Sequence, residues 1–171
     1  MPLYFAYGSN MDVAAMAQRC PASKVIGTAR LMRHRFFIST DGYASVMRDP
    51  SRTVWGLRWD LALADVRALD RYEDLASGLY SKIEQPVVSE RGARRAIIYI
   101  GRSVKPGTPK PGYMEGVMAA AREVGLPEDY LRSLEPWLPK TPSSAPAKQE
   151  QPRIRPLWSA PSSSVGKPKG S

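Results

Sequence analysis

Tyr7, Gly8, Ser9 and Asn10, within "LYFAYGSNM", set a glycine and two small polar side chains between a short apolar run and the start of a helix. A strand that turns directly into a helix leaves backbone N–H groups unpaired at the positive end of the helix dipole, where a carboxylate or an oxyanion fits. Gly8 lets the backbone come close to such a ligand, having no Cβ to obstruct it. The plainer reading is a chain reversal in which Ser9, Asn10 or Asp12 caps the helix. Cys20 is the only cysteine and His34 the only histidine. An internal disulfide and a His-rich zinc site are therefore excluded, and a metal site would need carboxylates. Cys20 ends a helix with no partner base in view, and His34, between Arg33 and Arg35, reads as solvated. Trp55 and Trp59 read as core residues of their strand. Asp70, Glu73 and Asp74 gather at the end of a helix in "LDRYEDLASGLY"; composition alone makes them solvated acids.

The elements that must position these residues are mixed. "LYFAY" is a buried-strand pattern, Asp12 an N-cap for "VAAMAQRC", and Pro21 a stop. Strand-like runs follow in "KVIGTARL", "RHRFFIST", "YASVMR" and "TVWGLRW", divided by Gly, Asp and Pro. Leu61, Ala62, Asp65, Val66, Leu69 and Tyr72 have helical spacing, with Asp65 the polar exception. "LYSKIEQPVV" and "RRAIIYIG" predict two more strands joined by "SERGA". After the loop "RSVKPGTPKPG" come a helix from Tyr113 to Val124, closed by Gly125, and a short one from Glu128 to Leu134. Many strands with few helices between them predict an α+β domain, its sheet curled into a small barrel with helices over it.

The 171 residues, 43% of them hydrophobic, suit one domain. We place it at residues 1–138, followed by a Pro/Ser/Lys-rich tail at 139–171. Five of the nine net positive charges fall on that tail, which has too little apolar surface to offset the entropy of ordering and is expected to be disordered. Leu157 and Trp158 form its one apolar cluster. With so much of the charge on a tail, nucleic acid is not the expected partner of the domain, weak tail-mediated binding aside. The N-terminus lacks a signal-peptide pattern and the apolar runs are far shorter than a membrane span, so a cytoplasmic protein with no membrane partner is expected.

Four segments, "LYFAYGSNM", "VWGLRWDL", "LDRYEDLASGLYSKIE" and "PKPGYMEGVMAAAREVGLPEDYLRSL", resemble in order and spacing the γ-glutamylcyclotransferases of the AIG2-like superfamily, across roughly residues 3 to 135. Ser9-Asn10-Met11 is nearer to that branch than to the Thr-Leu version of the γ-glutamylamine enzymes or the Gly-Tyr-Gly-Ser-Leu version of the glutathione-specific ones. The resemblance implies a mixed β-barrel with flanking helices and a place in glutathione metabolism. It also implies a cofactor-free reaction in which the α-amino group of a γ-glutamyl amide attacks its own γ-carbonyl, releasing 5-oxoproline and an amine. A tethered nucleophile needs orientation more than activation.

The same resemblance assigns the γ-glutamyl pocket to Tyr7, Gly8, Ser9 and Asn10, with Tyr80 and Tyr113 as further lining, and makes Glu73 the proton shuttle. A carboxylate near its usual pKa, about 4.3, is too weak a base for an ammonium at neutral pH. Burial, and a place at a helix C-terminus, would raise it. Asp74 stands where the family more often has Gly, and it would raise Glu73 further if it shared the pocket. Two rival readings stay open at this point: a cyclotransferase for a γ-glutamylated amine or biosynthetic intermediate, and a binding protein that keeps the fold without turnover.

Overall fold

The computed structural model describes residues 1–140, so the expected tail, with Leu157 and Trp158, lies outside the described residues apart from its first two. Five strands close into a barrel: β1 (Leu3–Ala6), β2 (Lys24–Ile38), β3 (Ala44–Asp60), β4 (Tyr80–Ser89) and β5 (Gly92–Gly101), in the order β1-β3-β2-β4-β5. All neighbours are antiparallel except β1 and β5, which close the barrel in parallel at Tyr4↔Ile97. Helices α1 (Val13–Arg19), α2 (Leu63–Tyr72), α3 (Tyr113–Glu123) and α4 (Glu128–Leu134) flank it. This is the α+β barrel expected. Among the described residues no helix is long and apolar enough to cross a membrane.

Two pairs of expected strands are single long ones. β2 runs through both of its sequence segments, with register shifts at Val25/Gly27 and Met32/His34. β3 likewise spans "YASVMR" and "TVWGLRW", but the ladder passes from Arg48↔His34 to Thr53↔Met32, so the Pro-containing segment 49–52 swings out of the pairing. A proline cannot donate to a ladder, and a bulge is where a sheet tolerates it. The bulge also corrects the reading of His34. Arg33 takes a left-handed φ of 59°, which turns His34 inward; it is buried, and its Nδ1 lies 2.8 Å from the Met32 carbonyl.

Side chains explain the helix positions. Asp12 caps α1 by accepting from the Ala15 N–H at 2.9 Å. Asp65, the polar exception on α2, is buried because it accepts from the Ala22 N–H (3.0 Å) and the Ser23 hydroxyl (2.8 Å), which ties α2 to the turn after α1. Cys20 sits buried beneath that turn, and burial pushes its thiol up to about 11. The Pro/Gly loop is pinned to the β2–β3 hairpin: the Gly107 N–H donates to the Ile38 carbonyl at 2.8 Å and the Lys110 N–H to the Gly42 carbonyl at 3.1 Å. Any Cβ on Gly107 would stand 2.5 Å from the Ser39 carbonyl oxygen. The loop so held delivers Tyr113, the first residue of α3, to the mouth of the barrel.

Candidate active site

Past the C-terminal end of β1 the chain makes one 3-10 turn, Ser9–Met11, before α1 begins. Because Asp12 closes the start of α1 with its own carboxylate, the N–H groups without an intrahelical acceptor are those at the start of the 3-10 turn, and the Ser9 N–H donates to the Tyr113 hydroxyl. An open pocket lies against this turn. Tyr7, Gly8, Ser9, Asn10, Glu73, Tyr80 and Tyr113 all line it, so the fold brings together the seven residues that the resemblance assigns to the site; Cys20, His34, Trp55, Trp59, Asp70 and Asp74 do not line it. Gly8 lies close against the pocket wall: a Cβ there would stand 3.0 Å from the Tyr113 hydroxyl and 3.2 Å from the Ala44 Cβ.

Asn10 links the charged groups. It is 3% exposed; its Nδ2 donates to Glu73 Oε1 at 2.6 Å and to the Tyr4 hydroxyl at 2.8 Å, while its Oδ1 accepts from Arg19 Nη1. A guanidinium has donors and no acceptor, so Arg19 fixes which way the amide faces. The amide oxygen must turn to Arg19, which leaves the NH₂ for the carboxylate. Arg19 is held in turn over the Tyr72 ring, 3.6 Å from its centroid, a cation–π stack.

Glu73 is the C-terminal cap residue of α2. Burial pushes its carboxyl up to about 7, against the opposing pull of the Arg19 charge and the Asn10 hydrogen bond. Asp74 takes no part in this. Its φ of 51° is left-handed, a conformation that glycine adopts without strain, and its Oδ2 is occupied 2.5 Å from the Ser77 hydroxyl. The extra carboxylate therefore does not enter the pocket.

The tyrosines form the wall. Tyr7 donates to the Tyr99 carbonyl at 2.5 Å and Tyr80 to the Ala44 carbonyl at 2.8 Å, whereas the Tyr113 hydroxyl accepts from the Ala44 N–H at 3.2 Å. Burial first, and then the nearby Glu73 charge among other groups, holds the Tyr7 hydroxyl well above its ordinary range. The phenols stay neutral, as donors and as a water-excluding surface.

Three further lining residues, Tyr4, Ala44 and Tyr99, were missed by sequence reasoning. Tyr4 and Tyr99 meet edge to face at 5.6 Å across the parallel β1–β5 closure. Tyr99 also donates to Asp70 Oδ1 at 2.5 Å, and Lys82 pairs with Asp70 at 2.9 Å. The tyrosines within the apolar runs "LYFAY" and "AIIYIG" were the available signal, but only the closure of the barrel says which face meets the turn.

Residues 53–134 match the model of the AIG2-like family. The γ-glutamylcyclotransferase of Bos taurus is 30% identical over 148 residues, 78% of this chain and 79% of that protein; that of Homo sapiens is 29% identical over the same extents. A solved structure described as a γ-glutamyl cyclotransferase superposes with a TM-score of 0.78 at 26% identity, covering 86% of this chain and 94% of its own.

Proposed function

This chain belongs to the γ-glutamylcyclotransferase family, and from that premise we propose that its pocket cyclises a γ-glutamyl amide to 5-oxoproline, with Glu73 as the proton shuttle. The observation that carries the proposal is a carboxylate raised to about 7 that shares one pocket with the glycine turn. Tyr7, Gly8, Ser9 and Asn10, with Tyr80 and Tyr113, hold the γ-glutamyl head. Glu73 takes a proton from the α-ammonium. The freed amine attacks the γ-carbonyl carbon, a C–N bond forms, and the carbonyl oxygen carries negative charge that the amides of the 3-10 turn stabilise. As the bond to the leaving nitrogen breaks, Glu73 returns its proton to that nitrogen. The ring nitrogen's remaining surplus proton then goes to solvent or the departing amine, and Glu73 is left ionised.

A pKa of about 7 suits both halves of this exchange, because a general acid–base acts best when its pKa lies near the working pH. The test is a screen of γ-glutamyl amino acids, γ-glutamylcysteine, γ-glutamyl amines and glutathione for 5-oxoproline release. Turnover of the smaller amides with glutathione a poor substrate is expected. Absence of release from every γ-glutamyl compound would leave a binding protein instead.

Arg19 acts on this chemistry through Asn10 and through its charge, as a positioning residue. Because that charge holds Glu73 down, Arg19→Met is expected to raise the Glu73 pKa further. A base must be ionised to work, so kcat/KM rises with pH through that pKa. The acid limb should shift upward by roughly 0.5 to 1 pH unit, and Arg19→Lys should restore part of it. An unmoved limb in the Met variant would detach Arg19 from the site.

A further inference from the structure

At the opposite end of the barrel from the pocket, three arginines converge without an acid to balance them. Side chains two residues apart on a strand share a face, so Arg58 on β3 faces the same way as Gly56 and Val54; its register partners are Phe5 and Gly27. Phe5, Val54 and the Ala29 that faces Gly56 are all buried, which makes this the inner face. On β5, Arg94 lies opposite the buried Val87 and shares its face with the buried Ala96 and Ile98. The β2–β4 pairing Arg30↔Val88, followed outward, sets Gly27 against the hairpin turn that contains Arg91. Gly27 contributes no side chain between Arg58 and that turn, and a Cβ there would meet nothing within 4 Å.

Arg58 is only 7% exposed, yet its Nε has no hydrogen-bond partner. Among the described residues no carboxylate pairs with Arg58, Arg91 or Arg94. Asp60, two residues along β3, and Glu90, in the hairpin turn, are the nearest acids in sequence, and neither forms an ion pair with them. Burial, then the charges of Arg91 and Arg94, depress the Arg58 pKa, in keeping with like charges set close together. A guanidinium does not escape by losing its proton, and buried charges in folded proteins are as a rule paired. An anion would balance these three charges. A fork of N–H donors in a plane, with two more guanidiniums beside it, matches a tetrahedral oxyanion better than a single carboxylate.

We propose that Arg58, Arg91 and Arg94 form a binding site for a phosphate group, free or carried by a small phosphorylated metabolite, at the end of the barrel remote from Glu73. The test titrates the full chain with sodium phosphate and, separately, with glycerol 3-phosphate, each against sodium chloride at equal ionic strength, by calorimetry and by melting temperature. Saturable binding with a rise in melting temperature is expected; uptake of the ester alone would assign the site to a metabolite, uptake of both to the phosphate group itself. Arg58→Met should abolish the phosphate-dependent rise while melting no lower than wild type without phosphate, since it replaces an unpaired buried charge by an apolar chain. Should that variant fail to fold, the exposed pair Arg91→Ser with Arg94→Ser decides, with affinity at least about tenfold weaker expected. Binding no stronger than sodium chloride reproduces, or binding that survives the loss of these arginines, as an anion held in the Glu73 pocket would, overturns the proposal.

Discussion

Glu73→Gln is expected to lower kcat by at least about 10²-fold, the lower range for loss of a general acid–base, while leaving the affinity for 5-oxoproline close to wild type. The amide keeps the shape of the carboxylate and an oxygen that can still accept from Asn10 Nδ2, now 2.6 Å from Glu73 Oε1. What it lacks is basicity. The turn and the tyrosine wall are untouched, so the γ-glutamyl head should still be held. Turnover measured by 5-oxoproline release, and affinity measured by calorimetry, separate the two effects. A Gln variant that turns over normally would remove Glu73 from the mechanism.

The same substitution has a stability signature of definite sign. Glu73 has a folded-state pKa of about 7 against 4.5 for the free side chain. Between those values the folded protein binds more protons than the unfolded chain, so this group's contribution to stability falls as pH rises through that window and is constant outside it. The penalty above pH 7 has a ceiling of about 3 kcal/mol by linkage. The Gln variant carries no such penalty. Its melting temperature should match wild type below about pH 4.5 and exceed it above pH 7, which marks the carboxylate as retained at a cost to stability.

Much of this site was legible in the sequence because its parts are local. The turn Tyr7–Asn10 is contiguous, Glu73 follows the last periodic residue of an amphipathic helix, and Tyr113 opens another. Their convergence on one pocket is not local, and was legible only through the resemblance of four segments. Tyr4 and Tyr99 depend on the parallel closure of β1 on β5, a long-range pairing that no window of sequence encodes. His34 was misread because its burial rests on a bulge at Arg33, where a single non-glycine residue takes a left-handed φ against its preference. Asp65 was visible as an exception to the helical pattern, but its partners Ala22 and Ser23 lie about forty residues away in sequence. In each case the side chain's environment is set by a contact distant along the chain.

Asn10→Ala tests whether the relay from Arg19 to Glu73 serves catalysis or only order. The substitution removes the donor to Glu73 Oε1 and the acceptor that holds Arg19. A hydrogen bond to a charged group contributes about 1.5–3 kcal/mol, and Asn10 bonds the ionised form of Glu73, so its loss should favour the protonated acid and raise the pKa above 7. At pH 7 less of the base is then available. Orientation of the carboxylate toward the substrate ammonium is also lost, and misplacement of a reacting group costs rate independently of its charge. Together these predict a fall in kcat/KM at pH 7 of roughly 10- to 100-fold. The two components separate by pH. Raising the assay to pH 9 should ionise Glu73 again and recover the part due to the pKa, leaving the part due to orientation. A residue that merely stabilised the fold would lower the melting temperature and the fraction of active protein, and its defect would be the same at both pH values. If the deficit of Asn10→Ala is independent of pH, Asn10 does not tune the base, and the raised pKa of Glu73 is set by burial and Arg19 alone.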